Sequence, residues 1–485
     1  MMLVLGVAFF YFVLRPLWHT DLWGHLSYGR YLHETQALPE TEPLMPLCSG
    51  VPFVDTAWLS QVIGYEAIRT FGVPAIQFLY AASVTLCLAL IMWRVYRRTQ
   101  SAVFSLVACG LFLWIDWQQF IVVRPQLGGL VCFIALFVLL TTRQWSKVGW
   151  VVIPLLFVLW ANLHGSFPIG LAMLGAFCVG RGCDVLRRTD RFSAIIDDRD
   201  FRRYLLLTEL AAVAVLLNPY GIGLYAEVWS IARHANLTDI REWEPLTLRM
   251  KQAQAAALVG LALVMLYRVS PRRVTVAEIL LLSGLGGGAM WTSRMIVWWA
   301  PIAGYFVAVH GYAAWKQIKH KRREKKPAPR GLFWTAVCAA TVVLCVAVKP
   351  LEPLLSASER ALIRSRLSRG TPVRAVEYLR KNPPPGQIFN AYEWGDYLLW
   401  AGPKNVQVFV ASHAHFVPRE VWQSYMQVIN LSSGWEETLE RFGANTVLID
   451  KTRRRALTSR LRRNDDWEVA FEDNRAVVFR RMNPI

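Results

Sequence analysis

Apolar runs of bilayer length recur along this chain, and they restrict its fold more than any other feature. A helix needs roughly 20 apolar residues to cross hydrocarbon, fewer where neighbours shield its ends. Backbone inside lipid must also satisfy its own hydrogen bonds, which leaves helices as the natural form for such runs. They fall near 2–17, 73–93, 102–120, 125–141, 148–161, 166–180, 204–218, 253–267, 276–291, 295–314 and 332–348. The expected fold is therefore mainly α, a polytopic transmembrane helix bundle of about 11 spans over residues 1–349, with a long first loop over 18–72. The short runs around 148–180 also read as one broken pair, which leaves the count open by about one or two. The opening MMLVLGVAFFYFVL lacks a basic leader and RPLWHT is a poor cleavage site, so it reads as a retained anchor. Its shortness is compatible with a start upstream.

Charge sets the expected sense of threading. A formal net charge of +19 would suggest nucleic acid as partner of a soluble protein. Here 54% of the residues are hydrophobic and the basic ones come in bursts between apolar runs, as in WRVYRR and KQIKHKRREKKPAPR. That is the pattern of positive-inside loops touching anionic lipid, and it argues against nucleic acid. With the N-terminus cytoplasmic, Arg94, Arg97 and Arg98, Arg143 and Lys147, Arg187 to Arg203, Arg268, Arg272 and Arg273, and Lys316 to Arg330 all fall inside. The remaining conspicuous polar groups then sort to the outer face: HTDLWGH, VRPQ, WANLHGS, LNPYG, REWEP and WTSRM. Six of the eight cysteines, Cys87, Cys109, Cys132, Cys178, Cys338 and Cys345, lie in apolar runs. Cys183 closes one such run and Cys48 falls in the first loop, so neither a disulfide framework nor zinc spacing follows.

Past Pro350 the character changes, and 350–485 reads as a soluble extracytoplasmic α/β domain. Helix VRAVEYLRKN, strand QIFN, helix-like GDYLLW, strand VQVFV, helices PREVWQSYMQVI and WEETLERFG, strand TVLID, helical TRRRALTSRLRR and a final pair WEVAF and AVVFR predict a partly parallel sheet covered by helices.

Several outer-face residues carry chemistry, each with a plainer reading beside it. Asp21 opens the first loop helix as a capping carboxylate or as a general base, with His25 one turn on along the same face. Asp55, in VPFVDTAWLSQ, is a cap or a partner to Asp21 for base or cation work. An arginine costs about 2.5–3.5 kcal/mol at the bilayer centre and less near the interface, so Arg124 and Arg294 should each be held by something anionic. The choices are a substrate phosphate or carboxylate and an internal pair with Asp21, Asp116, Glu242 or Glu244. His164, with Asn162 two residues before it, sits at a helix break as a satisfied interfacial residue or an orienter of substrate oxygen. LNPYG is first of all a turn, and Glu242 and Glu244 flank Trp243 as an interfacial anchor or substrate contacts. His413 and His415 read as a surface pair, because no third metal ligand accompanies them.

The stretches DLWGHLSYGRYL, VRPQ, WANLHGSFPIGL, LNPYG, REWEP, SRMIVWWAPI and, near the end, FNAYEWGDYLLW and DDWEVAFEDNRAVVFRR give the chain its closest resemblance. It resembles bacterial multi-spanning proteins of the GT-C glycosyltransferase superfamily, similar to dolichyl-phosphate-mannose and RgtA/B/C/D-like transferases. The resemblance implies a bacterial inner-membrane enzyme whose site opens outward and takes a sugar from a polyprenyl-phosphate carrier for a lipid or envelope-glycan acceptor. Asp21 is the position that corresponds to the acidic residues of the family's first outer loop; together with the residue readings above, the expected site is Asp21 with His25 for catalysis and Arg124, His164, Asn162, Glu244, Arg294 and Asp55 for substrate binding. No cofactor follows firmly, and a divalent cation is compatible. Two departures stand out: the paired acidic signature of the first loop is missing, with Leu22 beside Asp21, and Ala411 and His413 stand where related sequences carry Asp and Arg. The alternatives are a lipid or glycan carrier and a non-catalytic membrane protein with an outer binding domain. The threading is checked by cysteine labelling of intact cells: single cysteines at positions 21 and 294 and in the last 100 or so residues should react from outside, and one near Lys316 only after permeabilisation.

Overall fold

The computed structural model describes residues 1–142, 148–321 and 366–484. The expected span over 332–348, Arg143, Lys147, the basic run from Arg322 to Arg330, Cys338, Cys345 and the boundary at 349/350 lie outside them. Within the described residues a helix occupies every expected span: Met2–Val13, Val73–Thr99, Ala102–Asp116, Gln126–Thr141, Gly149–Leu163, Phe167–Thr189, Arg199–Val215, Lys251–Val269, Val276–Trp291 and Ile296–Lys321. Four segments, Val73–Thr99, Phe167–Thr189, Lys251–Val269 and Ser293–Lys319, are long and apolar enough to cross a membrane by length and composition.

Local chemistry marks the helix ends. Pro74 and Pro168 sit in first turns, where the missing N–H costs nothing. Gln100 and Asp190 take left-handed conformations just after Arg97–Arg98 and Arg187–Arg188, so basic side chains meet the negative ends of the helix dipoles. Inside the bundle Phe133, Trp160 and Trp298 are buried and interlock, Phe133 meeting Trp298 edge-on at 5.2 Å. Leu155, Val213, Leu258, Leu261, Val264 and Met265 face outward and exposed, the surface a lipid-bathed bundle presents.

Two amphipathic helices of the first loop, Leu22–Thr35 and Trp58–Phe71, lie against one another at one end of the bundle. Their close approach depends on Gly29, where an added Cβ would fall 2.2 Å from the Gln61 carbonyl oxygen. At the same end the C-terminal residues form a small sheet domain. Its strands are β1 Gln387–Asn390, β2 Gln407–Val408, β3 Ala444–Asp450, β4 Trp467–Glu472 and β5 Ala476–Arg481, in the order β2-β1-β3-β5-β4. β1 runs parallel to β2 and β3, and β5 runs antiparallel to β3 and β4, matching the partly parallel sheet expected. β3 is buried along its whole length, as a central strand should be, while β4 at the edge is partly exposed. The β4–β5 turn is closed by Asp473, whose carboxylate accepts the N–H groups of Arg475 and Ala476 at 2.9 and 2.8 Å.

Three contacts seat this domain on the bundle. Leu17 pairs with the chain at Leu367, its N–H donating to the Arg366 carbonyl at 2.8 Å. Asn236, between spans, donates to the carbonyls of Ala414 and Val417 at 2.9 and 2.7 Å. The helix Tyr392–Ala401 lies along Leu22–Thr35, where Arg30 donates to the carbonyls of Leu399 and Trp400 at its C-terminal end. Gly29→Ala should force the loop helices apart and cost about 1–3 kcal/mol. Thermal unfolding of the detergent-solubilised chain reads this as a lowered midpoint.

Candidate active site at the seam between bundle and C-terminal domain

The seam gathers residues from distant stretches of the chain. Asp21 sits at the start of the helix Leu22–Thr35 but does not cap it with its side chain. Its backbone takes a positive φ of 55°, uncommon for a residue with a Cβ. The conformation is held from the C-terminal domain, where Asp396 Oδ2 accepts the Asp21 N–H at 2.6 Å. The freed carboxylate instead pairs with Arg124, which forks to Glu242 at 2.7 Å. Arg124 is only 9% exposed, so both bonds act with little solvent screening. Burial opposes charge on Asp21, but Arg124, with Arg294 and His413, holds its carboxyl below the usual range. Burial likewise opposes the charge on Arg124, and the carboxylates of Asp21 and Glu242 overcome it, raising its pKa.

Arg294 is placed by tying two turns together. Ser293 donates from its N–H to the Glu244 carbonyl at 2.8 Å and from its hydroxyl to the Glu242 carbonyl at 2.9 Å. The Arg294 guanidinium then lies 4.8 Å over the ring of Trp243. Among the described residues it has no ion-pair or hydrogen-bond partner. The cation lies within the field of Glu242 and Asp21 without a hydrogen bond to either.

Histidines fill the space beside these charges. His25 meets His413 at a ring distance of 4.7 Å, and His413 also meets Tyr28 at 4.8 Å. Gly24 makes this contact possible, because a Cβ there would fall 2.7 Å from Asp396 Oδ1 and 3.2 Å from His413. His164 turns its Nδ1 to Ser166, 2.9 Å from the hydroxyl and accepting the Ser166 N–H at 3.1 Å. Burial, with the charges of Arg294 and Arg124, pushes His164 down to about 3. Burial, with Asp21 opposing, pushes His413 down to about 4, so these rings are neutral near pH 7.

The seam brings together Asp21, His25, Arg124, His164 and Arg294. Asp55 lies just behind, its Oδ1 accepting from the Ala57 N–H at 2.9 Å and from Gln61 at 3.0 Å. Two expected substrate contacts stand apart. Asn162 ties helices together, donating to the carbonyls of Val158 and Leu217 at 2.8 and 3.0 Å and accepting from the Trp58 indole at 2.8 Å. Glu244 is exposed and contributes its backbone carbonyl, while its neighbour Glu242 reaches Arg124. Residues that sequence reasoning missed come from the C-terminal domain: Asp396, His413 and His415. The last two, expected as a surface pair, turn inward because the segment after β2 packs on the first loop; His413 is buried and His415 half-buried. An acid set among aromatics in YEWGDYLLW was the available signal for Asp396. Among the described residues no three His, Cys, Asp or Glu side chains converge as a metal site.

Solved structures of ArnT from Cupriavidus metallidurans, a GT-C glycosyltransferase, share the fold of this chain along nearly its whole length. The form bound to undecaprenyl phosphate matches with a TM-score of 0.54 at 14% identity, over 99% of this chain and 97% of that one. The apo form matches with a TM-score of 0.53 at 15% identity, over 99% and 96%. No protein-family model matches the sequence, and no curated protein does. At these identities the likeness is one of fold: this chain has a GT-C-like membrane protein fold.

Burial, with the Asp21 charge adding, pushes Asp396 up to about 7, against the N–H bonds from Ser412 and Asp21. Its folded pKa exceeds the unfolded value near 3.9, so the native state binds this proton more tightly. Its contribution to stability is full below about pH 4 and is lost as pH rises through about 7. Asp396→Asn should flatten the fall in melting temperature across that window, measured by scanning fluorimetry in detergent.

Proposed function

We propose that the chain is an integral membrane glycosyltransferase that moves a sugar from a polyprenyl-phosphate donor to a lipid or envelope-glycan hydroxyl at the outer face of the bacterial inner membrane. The observation that carries the reading is the pair of arginines at the seam. Arg124 is paired with Asp21 and Glu242, whereas Arg294 lies on Trp243 within the field of those carboxylates but with no ion pair or hydrogen bond of its own among the described residues, which leaves its N–H groups for an anion. A leaving phosphate suits it: no strong general acid is needed, and guanidinium groups stabilise the charge that develops as the glycosidic bond breaks. The undecaprenyl phosphate bound by the similarly folded ArnT is of this chemical class. The sidedness of the basic loops supports an outer position for the seam.

Asp21 is the base in this reading. Paired with Arg124 it is a weak one, because the guanidinium stabilises its ionised form. A donor phosphate settling on Arg294 competes for Arg124 and loosens that hold, so the carboxylate gains basicity as the substrate arrives. It then takes the proton of the attacking hydroxyl while the sugar passes through an oxocarbenium-like state with inversion. His25 and His164, both neutral, are placed to orient sugar or phosphate oxygens. Because energy comes from the donor bond, no nucleotide-binding loop is required.

The test uses the purified chain in vesicles with a polyprenyl-phosphate-linked sugar, preceded by mass spectrometry of glycolipids and envelope glycans from a deletion strain to identify donor and acceptor. Asp21→Asn should lower turnover by about 10²–10⁴-fold. Arg294→Gln should lower it by about 10²–10³-fold, with insertion retained in both and the melting temperature retained in Arg294→Gln. Full transfer by Asp21→Asn would sink the assignment of the base. Lipid movement without transfer by the unaltered chain would favour a carrier.

A further inference from the structure

Behind the seam lies a chain of contacts that the transfer chemistry above does not use. Gln61, on the helix Trp58–Phe71, is buried with its amide nitrogen between two groups: 3.0 Å from Asp55 Oδ1 and 3.2 Å from His25 Nδ1. Asp55 Oδ1 already accepts the Ala57 N–H. An ionised carboxylate only accepts, so Gln61 turns its nitrogen toward it. The same NH₂ group then reaches His25 Nδ1 as a donor, which makes Nδ1 the bare nitrogen of a neutral ring and places the ring proton on Nε2. Nε2 has no hydrogen-bond partner among the described residues.

Protonating Asp55 lets both links, Asp55 to Gln61 and Gln61 to His25, reverse their polarity while the Ala57 N–H goes on donating. The Asp55 O–H becomes a donor, and Gln61 can turn its oxygen inward. That oxygen, with two lone pairs, accepts from both Asp55 O–H and His25 Nδ1–H. The ring proton then sits on Nδ1 and Nε2 presents a lone pair. Nothing holds the amide in one orientation from its far side: Gln61 Oε1 and Asp55 Oδ2 are both buried without hydrogen-bond partners among the described residues.

We infer that Gln61 is a positioning residue that ties the tautomer of His25 to the protonation of Asp55. His25 Nε2 thereby offers a substrate a donor when Asp55 is ionised and an acceptor when it is protonated. The surroundings suit such a device. Asp55 is pushed up to about 7 by burial and by Glu42, against the bonds from Ala57 and Gln61, and Tyr220 is the other titratable group beside it. His25 is held well below its ordinary value by burial and by His413, His164, Arg124 and His415. Its charge therefore stays at zero near neutrality, and only the position of its proton varies.

The tautomer can be read without any turnover, which separates this inference from the transferase reading on which its catalytic use rests. The probe is the full chain in nanodiscs with ¹⁵N-labelled histidine, nine residues in all, the His25 signals assigned by their loss in His25→Gln. Between roughly pH 8.5 and 5.5 the unaltered chain should pass from the Nε2–H to the Nδ1–H form. Gln61→Leu should show a mixture without a transition, and the near-isosteric Asp55→Asn should hold one distribution at every pH. A single unchanging tautomer in the unaltered chain, or a wild-type transition in either folded variant, would overturn the inference. Where transfer is measurable, Gln61→Leu should move the pH profile of kcat while KM stays within about twofold; an unmoved profile would refute the catalytic use.

Discussion

The seam depends on one buried guanidinium. Arg124, at a break between two helices, is shared by Asp21 of the first loop and Glu242 of a distant turn. Taking such a cation from water costs several kcal/mol unless both of its faces find acceptors. Those acceptors come from segments more than 100 residues apart in each direction, so satisfying Arg124 sets where the first loop and the turn before Lys251–Val269 must lie. The turn in turn holds Ser293 and hence Arg294, which arrives beside Arg124 without an ion pair of its own among the described residues.

The C-terminal domain is part of this arrangement. Asp396 fixes the unusual backbone of Asp21 and keeps its carboxylate from folding back as a helix cap. Gly24 lets Asp396 and His413 approach the loop helix to contact distance. A side chain at Gly24 would separate domain from loop, and with them the histidines and the carboxylate. The domain therefore acts on the site through geometry: it sets the direction in which Asp21 points.

Much of the site was legible in the chain because its residue types are conspicuous where they stand. An arginine at the end of an apolar run, a histidine before Gly-Ser-Phe-Pro and an aspartate just past an anchor all break the expected pattern, and Arg124, Arg294, His164 and Asp21 meet at the seam. Asn162 and Glu244 were equally conspicuous and serve backbone carbonyls and solvent instead, since hydrogen-bond partners far along the chain decide what a polar side chain does. Gln61 lacked a local signal, and those at Asp396 and His413 did not point to the seam, because their significance lies in contacts with other segments.

The sequence by itself determined the helices, their ends and the mixed sheet, since bilayer-length apolar runs, terminal prolines, basic last turns and alternating strands are local and periodic. It also limited which residues were conspicuous enough to carry chemistry. Only the tertiary structure decided that Arg124 takes Asp21 and Glu242, that Arg294 lies on Trp243, and that a histidine of the last domain rests on His25 in the first loop. Those outcomes follow from desolvation and close packing between remote segments, and neither quantity exists until the chain has folded.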